Sequence, residues 1–499
     1  MKTRISTLLC FLLALLMLPL IQAPVSAEQP AAKEISSRQL VTDMQGFYYC
    51  DWLFDTATKY GQQIPSNSTM TLEHEEGIGS LYLHYQKTPI VEYTVTNSDT
   101  GESRTCGTNG FLHEFVDVVE LFGAPAKKLT ITFGENPSLI TEMRVFTQGE
   151  PPKDVQRWQL APEEGVDLLV FSAHGDDEQL FFAGLLPYYA GELGYQVQVV
   201  YSTDHMNYGP DRAHEILDGL WVTGVTNYPV MGPFPDYLTQ SAEETINSLV
   251  VRGFAEDAVP QFVMEQVRRF KPLVMVSHDL EGEYGHGMHR LIAQSVKEAA
   301  ENSANSSIFP ESAQKYGVWD VPKTYLHLYP ENQIVMDWDQ PLAHFDGMTG
   351  WQVTRNLGFP AHKSQYRDFY WYIEPETAAE VPEMNPCEYG LVRTTVGADA
   401  EKNDMFENLL CRAEEKVLEE QRLKEEAEKQ AQLEAEQARA EQEALEAEQA
   451  AKETEIYQRV SYPQEEIDHS RNMLILTLSS IFLVLLLISW LLFRKKNRK

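Results

Sequence analysis

Cysteine is scarce, with five in 499 residues, and no two stand in a Cys-x-x-Cys pair. That argues against a thiolate zinc site or a redox pair. Cys10 lies in the leading apolar run. Cys50, Cys106, Cys387 and Cys411 remain, an even number that permits two bridges in any of three connectivities and demands none. Positive charge is also in short supply: 40 Lys and Arg stand against 74 Asp and Glu, a formal net charge of -34. A phosphate-backbone partner needs clustered Lys and Arg, so the class of nucleic-acid binders is excluded. Much of the acidity sits in one stretch near the C-terminus and does not describe an active site.

Long apolar runs are limited to the two ends. Lys2 and Arg4 precede an apolar run over residues 5–20, followed by Val25-Ser26-Ala27. This is the pattern of an export signal, residues 1–27, cut after Ala27; an uncleaved N-terminal anchor is the alternative. Residues 473–493 contain no charged side chain and are followed by Arg494-Lys495-Lys496-Asn497-Arg498-Lys499. As a helix this run is about 32 Å long, enough to cross the hydrocarbon core. The positive-inside rule keeps the basic tail, residues 494–499, in the cytoplasm. The expectation is a single-pass protein of the cell membrane with an extracellular head.

Between the ends the texture changes twice. Residues 37–158 hold short alternating runs (80–85, 91–95, 128–133 and 142–146) separated by Gly, Asn, Asp and Pro turns, the pattern of an all-β sandwich. Its architecture is similar to the galactose-binding type of jelly roll, with sugar binder and plain spacer both open. From Val166 the runs become continuous: 166–173, 196–202 and 271–277 read as strands buried on both faces. Helical patterns over 177–190, 212–222, 257–270 and 288–302 alternate with them. Residues 159–408 therefore read as a doubly wound, Rossmann-like parallel sheet, whose ligands gather at the carboxyl ends of the strands. Residues 412–454 lack Gly and Pro and are dominated by Glu, Ala, Gln, Lys and Leu. They predict a solvated helical stalk of about 60 Å, with a coiled coil as the secondary option.

The chemistry concentrates at two strand ends. Ala173-His174-Gly175-Asp176-Asp177-Glu178 leaves the first buried strand, so a His and an Asp in one tight turn face one point. Zinc accepts imidazole and carboxylate, and a catalytic site uses three protein ligands plus a water. A spare carboxylate beside the ligands takes that water's proton. Alone, the acids after His174 could be an ordinary helix start. Glu283-Tyr284-Gly285-His286-Gly287-Met288-His289, after the 271–277 run, adds two histidines three apart. Thr203-Asp204-His205 is either a pocket wall or a satisfied loop cluster. Trp338 and Trp351 are core residues or sugar platforms, and Ser172 and Ser277 have no visible triad partners.

On these residues the chain resembles the PIG-L/LmbE-like family of zinc-dependent N-acetylglucosaminide deacetylases, which carries Ala-His-Pro-Asp-Asp and Gly-His-Pro-Asp-His elements. Arg212-Ala-His-Glu215 and His362-Lys-Ser-Gln365 match two further elements of that family. The resemblance covers residues 166–400. It implies that His174, Asp177 and His289 bind Zn2+, that Asp176 is the general base, and that His286 stabilises the oxyanion or protonates the leaving amine. Arg212 is implied to hold substrate. Two positions depart from the pattern: Gly175 replaces the usual Pro, and Met288 replaces an Asp that would orient His286.

With the head outside the cell, the expected substrate is an N-acetylated glycan of the wall or surroundings. The rival reading is a surface glycan-binding or adhesion protein with a degenerate catalytic layer. The topology has a direct test. Protease added to intact cells should remove the head and leave the basic tail protected; a head shielded in the cytoplasm contradicts the orientation.

Overall fold

The computed structural model describes residues 30–57, 61–87, 92–207, 210–460 and 464–496. The export-signal pattern lies outside the described residues. The chain forms two compact units, residues 1–414 and 415–499.

The first unit begins with two antiparallel sheets. One has five strands in the order Val41–Gln45, Thr69–Ile78, Ala126–Phe133, Tyr93–Asn97 and Glu102–Cys106. The other has four, in the order Gln62–Ile64, Ser138–Phe146, Ser80–Tyr85 and His113–Asp117. Alternation explains the pairing: Tyr93, Val95 and Asn97 point inward while Thr94 and Thr96 are half-buried. All four cysteines outside the signal pattern are buried and unpaired.

A seven-stranded sheet follows: β1 (Leu168–Ser172), β2 (Val197–Thr203), β3 (Val230–Phe234), β4 (Val274–Ser277), β5 (Lys323–His327), β6 (Gln333–Val335) and β7 (Glu388–Thr394). Their spatial order is 3-2-1-4-5-7-6. Strands β1 to β5 pair in parallel, and β7 joins β5 and β6 antiparallel. Every residue of β1, β2 and β4 is buried, because helices cover both faces. The chain runs outward through β2 and β3, then returns to place β4 on the other side of β1. That reversal between β1 and β4 is the switch point where open α/β sheets form their crevice.

Of the predicted helices, 212–222, 257–270 and 288–302 appear as Pro210–Val222, Ala258–Phe270 and Gly287–Asn302. The 177–190 stretch differs. It is one turn, Asp177–Leu180, and then a π-helical segment, Pro187–Glu192, with Gly184 between them at φ +86°. A Cβ there would meet the Trp338 ring at 2.4 Å, so close packing on Trp338 breaks the helix. Strands β3, β5, β6 and β7 and the helix Ala242–Val251 were not read from the sequence.

The sheets of the first unit share one apolar core. Phe111 of the sandwich stacks on Tyr228 at 4.6 Å, and Trp158 meets Trp221 and Tyr228 edge-on at 5.6 Å each. Trp338 and Trp351 are core residues, 2% and 0% exposed.

The second unit takes in most of helix Arg412–Val460, which buries no side chain along its length. It is supported by local pairs such as Glu419–Arg422 and Glu448–Lys452, both 2.6 Å. Helix Gln464–Lys496 follows, and its apolar stretch is long enough to cross a membrane by length and composition.

Candidate metal centre

The loop after β1 and the loop after β4 meet over the switch point. His174 and Asp177 come from the first, His289 from the first turn of the Gly287–Asn302 helix. Their facing atoms form a near-equilateral triangle. His174 Nδ1 is 3.1 Å from Asp177 Oδ2 and 3.2 Å from His289 Nε2, and the last two are 3.2 Å apart. Tetrahedral zinc with bonds of about 2.0–2.1 Å has its ligand atoms roughly 3.3 Å apart. The donor set therefore fits such an ion without rearrangement.

The outward nitrogens fix the tautomers. His289 Nδ1 donates to Glu283 Oε2 at 2.7 Å, and His174 Nε2 donates to Asp236 Oδ1 at 3.1 Å. In its neutral form each ring then carries its lone pair on the inward nitrogen, the carboxylate-backed arrangement of metal-binding histidines. Electrostatics agrees. Burial pushes His174 and His289 down, but Asp177 with Asp236 or Glu283 overcomes it and lifts them to about 10 and about 9. Burial pushes Asp177 up, yet His289 and His174 hold it well below the carboxylate range. The cluster is built to hold positive charge, either as protons or as an ion that displaces them.

The remaining sequence-predicted residues surround this triangle. Asp176 is buried, and its carboxyl is pushed up to about 6 by burial, with Arg212 opposing. Arg212 Nη2 donates to Asp176 Oδ1 at 3.2 Å, so Arg212 touches the proposed base. Glu215 anchors the His362-x-Ser-Gln element: Ser364 Oγ and N donate to its carboxylate at 2.6 and 2.8 Å. His286 caps the Gly287–Asn302 helix, its Nδ1 accepting from Met288 N–H at 3.2 Å. Its remaining nitrogen is then the protonated one, and burial beside His174 and His289 pushes the ring down to about 3. His205 is a satisfied loop residue, its Nε2 accepting from Gly175 N–H at 2.9 Å. Ser172 Oγ and Ser277 Oγ donate to backbone carbonyls, so neither has a base.

Residues 169–300 match the family model described as PIG-L, GlcNAc-PI de-N-acetylase. Over these residues the α/β layer is similar to the PIG-L/LmbE-like family. A 1D-myo-inositol 2-acetamido-2-deoxy-alpha-D-glucopyranoside deacetylase of Streptomyces scabiei is 22% identical, over 49% of this chain and 90% of that protein. A protein of the same description from Catenulispora acidiphila is 26% identical, over 34% and 58%. Among solved structures, N,N'-diacetylchitobiose deacetylase of Pyrococcus horikoshii is 15% identical, covers 42% of this chain and 76% of its own, and has a TM-score of 0.28.

Both departures from the family pattern have physical reasons in this PIG-L-like layer. Pro at 175 would lack the N–H that His205 accepts, and a Cβ there would lie 2.2 Å from Ile216 Cδ1. Met288 is fully buried in the core beside Leu291 and Ile292. The lost Asp is not a lost orienter for the ligand set, because Glu283 backs His289 from six residues upstream. His286 is held by a backbone N–H instead.

Sequence reasoning gave no role to Glu283, Asp236, His278 or His327. Glu283 Oε2 also accepts from His278 Nδ1 at 2.8 Å, and Oε1 from His327 Nδ1 at 2.7 Å. Burial pushes this carboxyl up, but His278, His289 and His327 hold it well below its usual range. His278 Nε2 accepts from Ala173 N–H at 2.9 Å, which ties the β4 end to the β1 turn. The usable signal was position: Asp236 follows β3, His278 follows β4 and His327 ends β5.

Glu283→Gln keeps the shape but replaces a charged acceptor with an amide. Orienting partners of this kind are worth about 10–100-fold in metal affinity. Zinc affinity of the full chain, measured by competition with a chelator, should fall by that factor. An unchanged affinity contradicts the role given to Glu283.

Proposed function

We propose that the chain is a zinc-dependent amide hydrolase that removes the acetyl group from N-acetylglucosamine-type sugars in an extracellular or cell-wall glycan. The observation that carries this reading is the triangle of His174 Nδ1, Asp177 Oδ2 and His289 Nε2 with the Asp176 carboxyl beside it at the switch point. The PIG-L match and the deacetylase descriptions of the relatives support the substrate class.

When bound by His174, Asp177 and His289, zinc would polarise the acetamide carbonyl and lower the pKa of a water. Asp176 takes the proton from that water. Arg212, donating to Asp176 Oδ1, orients the carboxylate and favours its charged form. His286, neutral and with its free N–H on the side away from Met288, donates to the oxyanion. Its low pKa leaves the ring without an extra proton to give near neutral pH, so the proton held by Asp176 is the one returned to the leaving amine. Because Asp176 must be ionised to act as base, activity rises with pH through its raised pKa and is lost below it.

The export pattern, the candidate membrane helix and the basic tail support an ectodomain tethered by one C-terminal span. For the sandwich, one observation favours sugar binding over a plain spacer: Tyr48, Tyr49 and Trp52 are 98%, 49% and 46% exposed on one short segment.

Two neighbouring acids give the test. Asp177→Ala removes a ligand, so zinc content and activity fall together. Asp176→Asn keeps size and polarity, so zinc stays near stoichiometric while acetate release from N-acetylglucosamine oligomers drops by about 10²–10⁴-fold. Reversed behaviour reverses the two assignments. If neither substitution affects acetate release, the glycan-binding reading replaces this one.

A further inference from the structure

A second histidine cluster lies away from the catalytic triangle, where the sandwich meets the α/β layer. His84 sits on strand Ser80–Tyr85, His113 begins strand His113–Asp117, and His214 is on helix Pro210–Val222. His113 is 1% exposed and the other two are half-buried. One ring nitrogen from each lies within 4.8 Å of the other two.

Hydrogen-bond accounting assigns each tautomer. Gln156 Nε2 donates to Asp218 Oδ1 at 2.7 Å, and Gln156 Oε1 accepts from Trp158 Nε1 at 2.8 Å, so that oxygen is an acceptor. His113 Nδ1, 2.6 Å from it, is therefore the donor, and His113 Nε2 carries a lone pair. Thr141 Oγ1 donates to the His84 carbonyl at 2.9 Å, so it accepts from His84 Nδ1 at 2.6 Å and leaves His84 Nε2 with a lone pair. His214 Nε2 faces the Gln86 carbonyl at 3.2 Å and must donate, which leaves a lone pair on Nδ1. His113 Nε2 and His214 Nδ1 are then two acceptors 2.8 Å apart.

Something positive belongs between them. A proton is opposed by the surroundings: burial first, then the neighbouring imidazoles, push His113 and His84 well below the histidine range, and burial lowers His214. We propose that His84, His113 and His214 form a second metal site, taking a divalent transition ion of imidazole preference such as zinc. Three neutral imidazoles, each with its outer N–H tied to an oriented acceptor, are a recognised donor set for that chemistry. The ring centroids are 4.0, 4.4 and 5.0 Å apart, so loading requires the His84 ring to turn out of its stack and bring its lone pair toward the other two.

The ion would clip two sandwich strands to the helix that carries Arg212 and Glu215. His214 lies between those two residues, so the clip fixes the element that positions Arg212 on Asp176. Its part is structural, and it does not depend on the reaction assigned to the first site.

The test uses the full chain in detergent, equilibrated with zinc, dialysed and analysed for metal. Two ions per chain are expected. Asp177→Ala/His289→Ala, which strips two ligands from the first site, should keep one ion and still gain thermal stability when zinc is added. Adding His214→Ala should remove that ion and that gain. Cobalt(II) offers a second readout: visible absorption in the Asp177→Ala/His289→Ala protein that disappears with His113→Ala. If the Asp177→Ala/His289→Ala protein holds no zinc, or keeps its ion after His214→Ala, the second site does not exist.

Discussion

One buried carboxylate, Glu283, sits where four segments of the α/β layer must agree. Its two oxygens accept from His278 and His289 on one side and from His327 and the Asp279 N–H on the other. A charge with no water around it costs several kcal/mol unless its lone pairs are filled, and removing a partner leaves the full penalty. Glu283 therefore couples the end of β4, the end of β5 and the first turn of the Gly287–Asn302 helix. Through His278 it also reaches the backbone of the β1 turn. The triangle of His174, Asp177 and His289 atoms inherits its shape from that coupling. His289 can present Nε2 because its Nδ1–H is held, and the β1 turn keeps His174 and Asp177 in register because Ala173 N–H is held.

The same logic explains which parts were legible in the sequence. The β1 and β4 strands announce themselves as continuous apolar runs, and the His-Gly-Asp-Asp turn is local, so His174, Asp176 and Asp177 stand out as one cluster; only the family resemblance divides them into ligands and base. His286 and His289 follow β4 in the same manner. Glu283, His278 and His327 could not be given roles, because their partners lie across strand order, which a linear reading does not supply. Asp236 was hidden for a further reason: β3, with Gly232 and Pro233 inside it, lacks the strand signature. The broken helix after Asp177 was misread because its pattern is helical while Gly184 packs against Trp338, 154 residues away in sequence. Met288 looked like a lost function and is a core residue that clusters with Leu291 and Ile292 one turn further along the helix.

The sandwich is more than a neighbour of the catalytic layer. Phe111, Trp158, Trp221 and Tyr228 form a continuous aromatic contact, and Leu112 N–H donates to Tyr228 Oη at 3.1 Å. Stacked and edge-on pairs of this kind add stability beyond the area they bury. The three-histidine cluster lies in the same contact zone. Within the first unit, Arg412 donates its N–H to Asp167 Oδ1 at 2.6 Å and its guanidinium lies over Trp319.

The central claim is that His174, Asp177 and His289 share one ion through specified atoms. Anomalous diffraction at the zinc edge, from crystals of the metal-loaded protein, tests it most directly. The account predicts a peak within bonding distance of His174 Nδ1, Asp177 Oδ2 and His289 Nε2, with Glu283 still on His289 Nδ1. A loaded protein with no peak among these three atoms, or with His174 bound through Nε2, would contradict it.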